Sequence, residues 1–267
     1  MNNLSTEAQF FHEIALSVID FVKAYNGKLS VNVSKRDGDY ATEIDLAVED
    51  MIVKEIQKRF PEDLILAEEK HTNTSLSNDR IWIIDPICGT TNLRRGLSNF
   101  CTNIAISDNR KLIASCVIDH SHGDYFWSIG NGEVYINDLL FKVREPEARL
   151  GKVVDVNLGA LGNLSRSKRM NHAKFVEKLM TETDYFQSSM GTSLAFAYAA
   201  IGKIDGFISP YDKTWDIAAA SFLMQESGGI ITQADGAKWQ LQPTISSIGS
   251  LYPDVHKKLL EISISVG

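Results

Sequence analysis

The sequence predicts a layered α/β protein, with an α+β first half and a second half in which strand and helix alternate. Three observations carry this. Two helical patterns open the chain, each started by residues at capping-box spacing. Three short apolar runs at 101–108, 112–119 and 124–129 are separated by turn signals, as antiparallel strands are. From residue 152 onward strand-like and helix-like segments alternate, which argues for sheets covered by helices. The 267 residues are ample for a sizeable core.

In order, residues 6–25 read as a helix. Phe10, Phe11, Ile14, Val18, Phe21 and Val22 follow the helical period, with Thr6 and Gln9 at capping-box spacing. Residues 34–39 are polar. A second helix opens near Thr42, with Asp45 three residues on, continues through Val48, Met51, Ile52 and Ile56, and stops before Pro61. Two apolar runs follow, Leu64–Ala67 and Ile81–Ile84, with a polar loop at 72–79 between them. Turns are expected at Asp108-Asn109, His122-Gly123 and Asn131-Gly132. A join near residues 145–151 divides a first half, 1–148, from a second, 149–267. Beyond it, strands are expected at 152–156, 204–209, 229–232 and 245–249, and helices at 171–182, 189–201, 215–227 and 253–262. There is no internal repeat.

Formal net charge is −7 and no basic stripe stands out, so a nucleic-acid surface is not expected. An anionic substrate would need a local attractor, such as a metal ion or a helix start. Cys88, Cys101 and Cys116 are odd in number and contain no CxxC pair, which argues against a disulfide framework and for a reducing, cytoplasmic setting. No stretch has the roughly 18 consecutive apolar residues of a membrane span, and the N-terminus does not read as a signal peptide.

Four acidic residues, Asp45, Glu68, Asp85 and Asp216, fall at the ends of elements. Carboxylates so placed suit a hard cation, whose remaining ligands are often water and phosphate oxygens. Each alone is also explained as a cap or a surface charge, Asp45 as the third residue of a capped helix. The segment around Asp85 separates the two readings. Trp82-Ile83-Ile84-Asp85-Pro86-Ile87-Cys88-Gly89-Thr90-Thr91-Asn92 is a buried strand delivering an acid to a tight turn, followed by a helix start. Free N–H groups at such a start bind phosphate, and a metal on the adjacent carboxylate would share it.

This segment resembles the Asp-Pro-x-Asp-Gly-Thr-Thr-Asn signature of the inositol monophosphatase family. Ala67-Glu68-Glu69 is similar to its Gly-Glu-Glu element, and Thr42-Glu43-Ile44-Asp45 to its Thr-x-x-Asp element. Met190-Gly191-Thr192-Ser193 resembles its substrate-contacting segment. Trp215-Asp216-Ile217-Ala218-Ala219, with Glu226-Ser227-Gly228-Gly229, resembles its C-terminal signature. The resemblance implies a layered αβαβα sandwich of the sugar-phosphatase type and magnesium-dependent hydrolysis of a small phosphorylated metabolite. It places Glu68 and Asp85, helped by the Ile87 carbonyl, on a first metal, and Asp85 and Asp216 on a second. Asp45 and Thr90 would position the attacking water, and the Gly89 and Thr90 N–H groups would hold phosphate. Thr91, Gly191, Thr192 and Ser209 would lie on the substrate side. Two or three Mg2+ ions per active site and a homodimer are also implied.

The chain departs from the pattern at Cys88, where the family has a metal-binding aspartate. A neutral thiol is a poor magnesium ligand and a thiolate prefers softer metals; packing as a small hydrophobe is the plain alternative. Ser209 stands where animal-type members have an acid facing inositol hydroxyls, so sugar phosphates, inositol phosphates, histidinol phosphate and nucleotide 3′-phosphates all remain open. Lys213 faces a second anion or is a surface charge. His120 and His122 read as an exposed turn pair, and no Gly-x-Ser-x-Gly or Walker-type loop is present. The rival to an active phosphatase is an impaired paralogue that binds or regulates a partner.

Overall fold

A computed structural model describes residues 5–25, 31–34, 40–142, 151–158 and 164–267. The elements are α1 (Thr6–Ala24), β1 (Val31–Ser34), β2 (Tyr40–Thr42), α2 (Glu43–Arg59), β3 (Leu64–Ala67), β4 (Ile81–Cys88), α3 (Thr90–Arg95), β5 (Cys101–Asp108), β6 (Lys111–Asp119), β7 (Asp124–Ser128), β8 (Tyr135–Ile136) and β9 (Leu139–Leu140). They continue with β10 (Val153–Val156), α4 (Arg166–Glu182), β11 (Phe186–Ser188), α5 (Leu194–Ala200), β12 (Gly206–Lys213), α6 (Thr214–Glu226), β13 (Ile230–Thr232), β14 (Thr244–Ser250) and α7 (Pro253–Val266). The expected polar stretch at 34–39 and the join at 145–151 lie almost wholly outside the described residues.

Strands β3 to β9 form one sheet in chain order, with β3 and β4 parallel and the rest antiparallel. The second sheet has the order β11-β10-β12-β14-β13, with β10 parallel to both its neighbours. Successive strand residues point to opposite faces, and in β4 both faces are buried. Trp82 and Ile84 pack with α1 and α2, while Ile81 and Ile83 pack with α5 and α6. Helices α5 and α6 also cover Phe207 and Ile245 of the second sheet, whose other face carries Val154, Val156, Ile208 and Ile248 against α4 and α7. The layers therefore run helix, sheet, helix, sheet, helix, as the resemblance implied. Every residue of α5 is buried, which is what a helix held between two sheets requires. No helix among the described residues is long and apolar enough to cross a membrane.

Three local expectations change. Helix α1 is capped by Ser5, whose hydroxyl accepts from the Ala8 N–H at 3.2 Å, so the cap sits one residue before the expected Thr6. Helix α5 starts at Leu194 rather than 189, because Gly191 has φ 67° and breaks the helical path. Strand β12 continues past Pro210 to Lys213 through a register shift between Ser209 and Asp212, an irregularity of the kind that tolerates proline. Strands β8, β9 and β11 have two or three residues each, too few to show a period.

The central layer is tight where α5 meets the second sheet. A methyl group on Gly249 would come within 2.1 Å of the Phe196 ring, which is buried and stacked on Phe207 with centroids 4.8 Å apart. Gly249→Ala is therefore expected to destabilise the fold by about 1–3 kcal/mol, the usual cost of overpacking. The urea midpoint at unchanged slope measures this, and a midpoint equal to the parent's would refute it.

Candidate active site

The site is built on a bulge in β4. Asp85 opposes Asn103 of β5 and Cys88 opposes Cys101, so Pro86 and Ile87 on β4 answer the single Thr102 on β5. In a regular strand Asp85 and Cys88, an odd number apart, would face opposite sides; the extra residue brings both to the side of α5 and α6. Thr102 Oγ1 donates to the Pro86 carbonyl at 2.6 Å and Thr192 Oγ1 to the Cys88 carbonyl at 3.3 Å, which hold the bulge in place.

Asp216 arrives from the first turn of α6, where one carboxylate oxygen accepts the Lys213 N–H at 2.9 Å. One ligand atom each from Asp85, Cys88 and Asp216 lies within 4.8 Å of the others. Asp85 is 1% exposed, and neither carboxylate oxygen has a hydrogen-bond partner. Burial first, then the charges of Cys88, Glu68 and Asp216, push its carboxyl well above the usual range. The Cys88 thiol is also pushed up, first by the neighbouring Cys101 and then by burial, with Ser193 opposing.

Glu68 follows β3, half-buried and near enough to act on Asp85, while its N–H donates to Ile84 O at 3.2 Å. Its position depends on a residue the motifs do not name. Glu49 is buried in α2 and accepts from the Glu69 and Lys70 N–H groups, each at 2.8 Å, with His71 Nδ1 at 3.0 Å. The available signal was its spacing: Glu49 shares the apolar stripe of Ile52, Val53 and Ile56.

Asp45 both caps its own helix and binds Thr90 from another element. Its Oδ2 accepts from the Thr42 N–H at 2.9 Å and from the Thr42 hydroxyl, while its Oδ1 accepts from Thr90 Oγ1 at 2.8 Å. Burial raises its carboxyl pKa, with the Thr42 and Thr90 hydrogen bonds opposing. Thr90 Oγ1 also lies 3.1 Å from the Ile87 carbonyl. Gly89 has φ 98°, and a Cβ there would stand 3.1 Å from the Asn99 carbonyl; Thr91, next on α3, is exposed.

The substrate-side residues are placed unequally. Gly191 is exposed, but Thr192 is buried beneath Cys88, and Asn92 Nδ2 ties this segment to α3 through the Met190 carbonyl at 2.9 Å. Ser209 is buried, and its hydroxyl donates to Asp212 Oδ1 at 2.8 Å. Lys213 sits over the Tyr211 ring, 5.8 Å from its centroid. The histidine pair divides: His122 is exposed and bonded to Asp119 at 2.8 Å, whereas His120 is buried against Phe100 and its pKa is pushed down to about 4 by burial.

The profile of the inositol monophosphatase family matches residues 3–265. A fructose-1,6-bisphosphatase/inositol-1-monophosphatase of Thermotoga maritima is 31% identical over 240 residues, covering 88% of this chain and 89% of that protein. A Nus factor SuhB of Pasteurella multocida is 29% identical over 226 residues, covering 85% and 83%. A solved Thermotoga maritima IMPase has a TM-score of 0.83 at 26% identity, with 98% of each chain covered. The family is metal-dependent. Matched over nearly its whole length, the chain belongs to the inositol monophosphatase family of phosphoric monoester hydrolases.

Proposed function

We propose that this protein hydrolyses a small phosphate monoester, sugar- or inositol-phosphate-like, with divalent metal held by Glu68, Asp85, the Ile87 carbonyl and Asp216. The observation that carries this reading is Asp85. A carboxylate buried without partners is costly, and it converges with Asp216 and Cys88 within 4.8 Å. A cation is the group that such a carboxylate lacks. The carboxylate and carbonyl oxygens fit magnesium, which takes oxygen ligands; the Cys88 sulfur does not. When bound, the metal would supply Lewis acidity toward a phosphoryl oxygen and lower the pKa of water.

The chain's own groups do the positioning, which is most of what phosphoryl transfer asks of a protein. Thr90 Oγ1 has Asp45 Oδ1 at 2.8 Å and the Ile87 carbonyl at 3.1 Å as acceptors; with its hydrogen on the nearer Asp45, what Thr90 offers a neighbouring water is an oxygen lone pair. A proton leaving that water would pass to Thr90 as the Thr90 proton moves to Asp45. The first N–H groups of a helix have no intrahelical acceptor, and those of Gly89 and Thr90 are the phosphate donors in this reading. Cys88 and the relative named as a Nus factor favour a second reading, a regulatory protein with weakened catalysis.

The deciding assay is phosphate release with Mg2+ over a panel of sugar, inositol, histidinol and nucleotide 3′-phosphates. Turnover on at least one supports the enzyme, and none on any supports the regulatory protein. Asp45→Asn turns an amide toward Thr90 and removes the proton acceptor. Turnover should fall by about 10²–10⁴-fold while the melting temperature changes little, and undiminished turnover would take Asp45 out of the reaction.

A further inference from the structure

We propose that Asp85, Cys88 and Asp216 form a mixed sulfur and oxygen position that selects a borderline divalent cation, of the zinc and cobalt(II) class, over magnesium, with Cys88 as a thiolate ligand. The inference rests on the metal-dependent reading above and adds which metal the chain's own donors choose.

Geometry supports it first. The bulge between Asp85 and Cys88 turns the sulfur to the same side as the carboxylate, where it lies within 4.8 Å of oxygens from both acids. Zinc holds sulfur at about 2.3 Å and carboxylate oxygen at about 2.1 Å. Two such ligands stand about 3.6 Å apart at a tetrahedral angle and about 4.4 Å apart in line. The tetrahedral spacing is about 1.2 Å shorter than the 4.8 Å within which the three atoms lie, so side-chain movements of up to about 1 Å close the cluster onto one ion.

The surroundings of the sulfur support it second. Cys88 Sγ accepts hydrogen bonds from the Ser193 N–H at 3.3 Å and from the Ser193 hydroxyl at 3.2 Å. The Ser193 oxygen in turn accepts from Asn103 Nδ2 at 2.8 Å, which leaves its hydrogen for the sulfur. Two donors aimed at one sulfur do little for a neutral thiol, a weak acceptor. Around a metal-bound thiolate, such donors orient the ligand and spread its charge.

Ligand chemistry supports it third. Asp85 is 1% exposed with both oxygens unpartnered, so the position calls for a cation. On binding, the Cys88 Sγ–H proton leaves to solvent and the sulfur bonds the ion in its place. The donor set then carries three negative charges, as three carboxylates would, but one donor is soft. Magnesium demands oxygen; thiolate favours zinc and its neighbours. Cys101 and Cys116 are buried and contribute no atom to the cluster.

The test uses cobalt(II) as the probe on the full-length protein. Wild type should develop a near-ultraviolet sulfur-to-cobalt charge-transfer band, displaced by equimolar zinc and retained in about 100-fold excess magnesium. The band should vanish in Cys88→Ser and Cys88→Asp. Ser193→Ala should weaken cobalt affinity by about 10–100-fold, and Cys88→Asp should reverse the preference toward magnesium in calorimetric titration. Wild-type protein that binds cobalt without the band, a band surviving in both Cys88 variants, or displacement by magnesium as readily as by zinc would each overturn the proposal. Phosphate release with magnesium but no sulfur band sinks this inference alone; the band without hydrolysis of any panel ester in magnesium, cobalt or zinc sinks the enzymatic reading alone.

Discussion

Asp85 is a carboxylate at the bulge of a strand buried on both faces, with no hydrogen-bond partner for either oxygen. Removing such a charge from water costs several kcal/mol unless it is compensated. The surrounding groups worsen the problem, because Glu68, Asp216 and Cys88 all oppose its ionisation. A cluster that repels itself persists only where the rest of the fold holds it. Here the sheet hydrogen bonds of β4 with β5, the Thr102 and Thr192 bonds to the bulge carbonyls, and the start of α6 do the holding. In the proposed reading, a divalent cation would convert the three converging donors, Asp85, Cys88 and Asp216, into one satisfied set.

The two helix starts that bring acids to this place use the same local device. Asp45 in α2 and Asp216 in α6 are both third residues, and each accepts the backbone N–H of its own cap residue, Thr42 or Lys213. The bond that satisfies an otherwise orphan donor also fixes the carboxylate rotamer. Cap and site are therefore one interaction, and a variant that breaks the cap also misdirects the site.

The five-layer packing explains why the site can be exact. Helices α5 and α6 lie between two sheets, with alanines at 195, 197, 199 and 200 in one and 218–220 in the other. Small side chains let the layers approach closely, and Ser193 and Asp216 at the ends of these helices are carried to the rim of the first sheet. Glu49 performs the matching task on the opposite side, gripping the amides after Glu68 from α2. Each catalytic candidate is thus tied to a core element by a bond that runs to backbone.

By itself the sequence determined the alternation of elements, the apolar faces of α1, α2 and β4, and the identity of the acidic residues, because periodicity and motif spacing are local properties. The segment from Trp82 to Asn92 was legible in part: the buried strand and the helix start after Gly89 are local, but the turn expected after Asp85 is a bulge within β4, which runs on to Cys88. Tertiary structure alone decided that Cys88 shares a face with Asp85, since that depends on a bulge set by pairing with Cys101 and Asn103. It alone revealed Glu49 and Ser193 as supports, whose partners lie 20 and 105 residues away in the chain. It also made Asp45 both the cap of α2 and the partner of Thr90, which approaches from another element and takes the oxygen the cap leaves open.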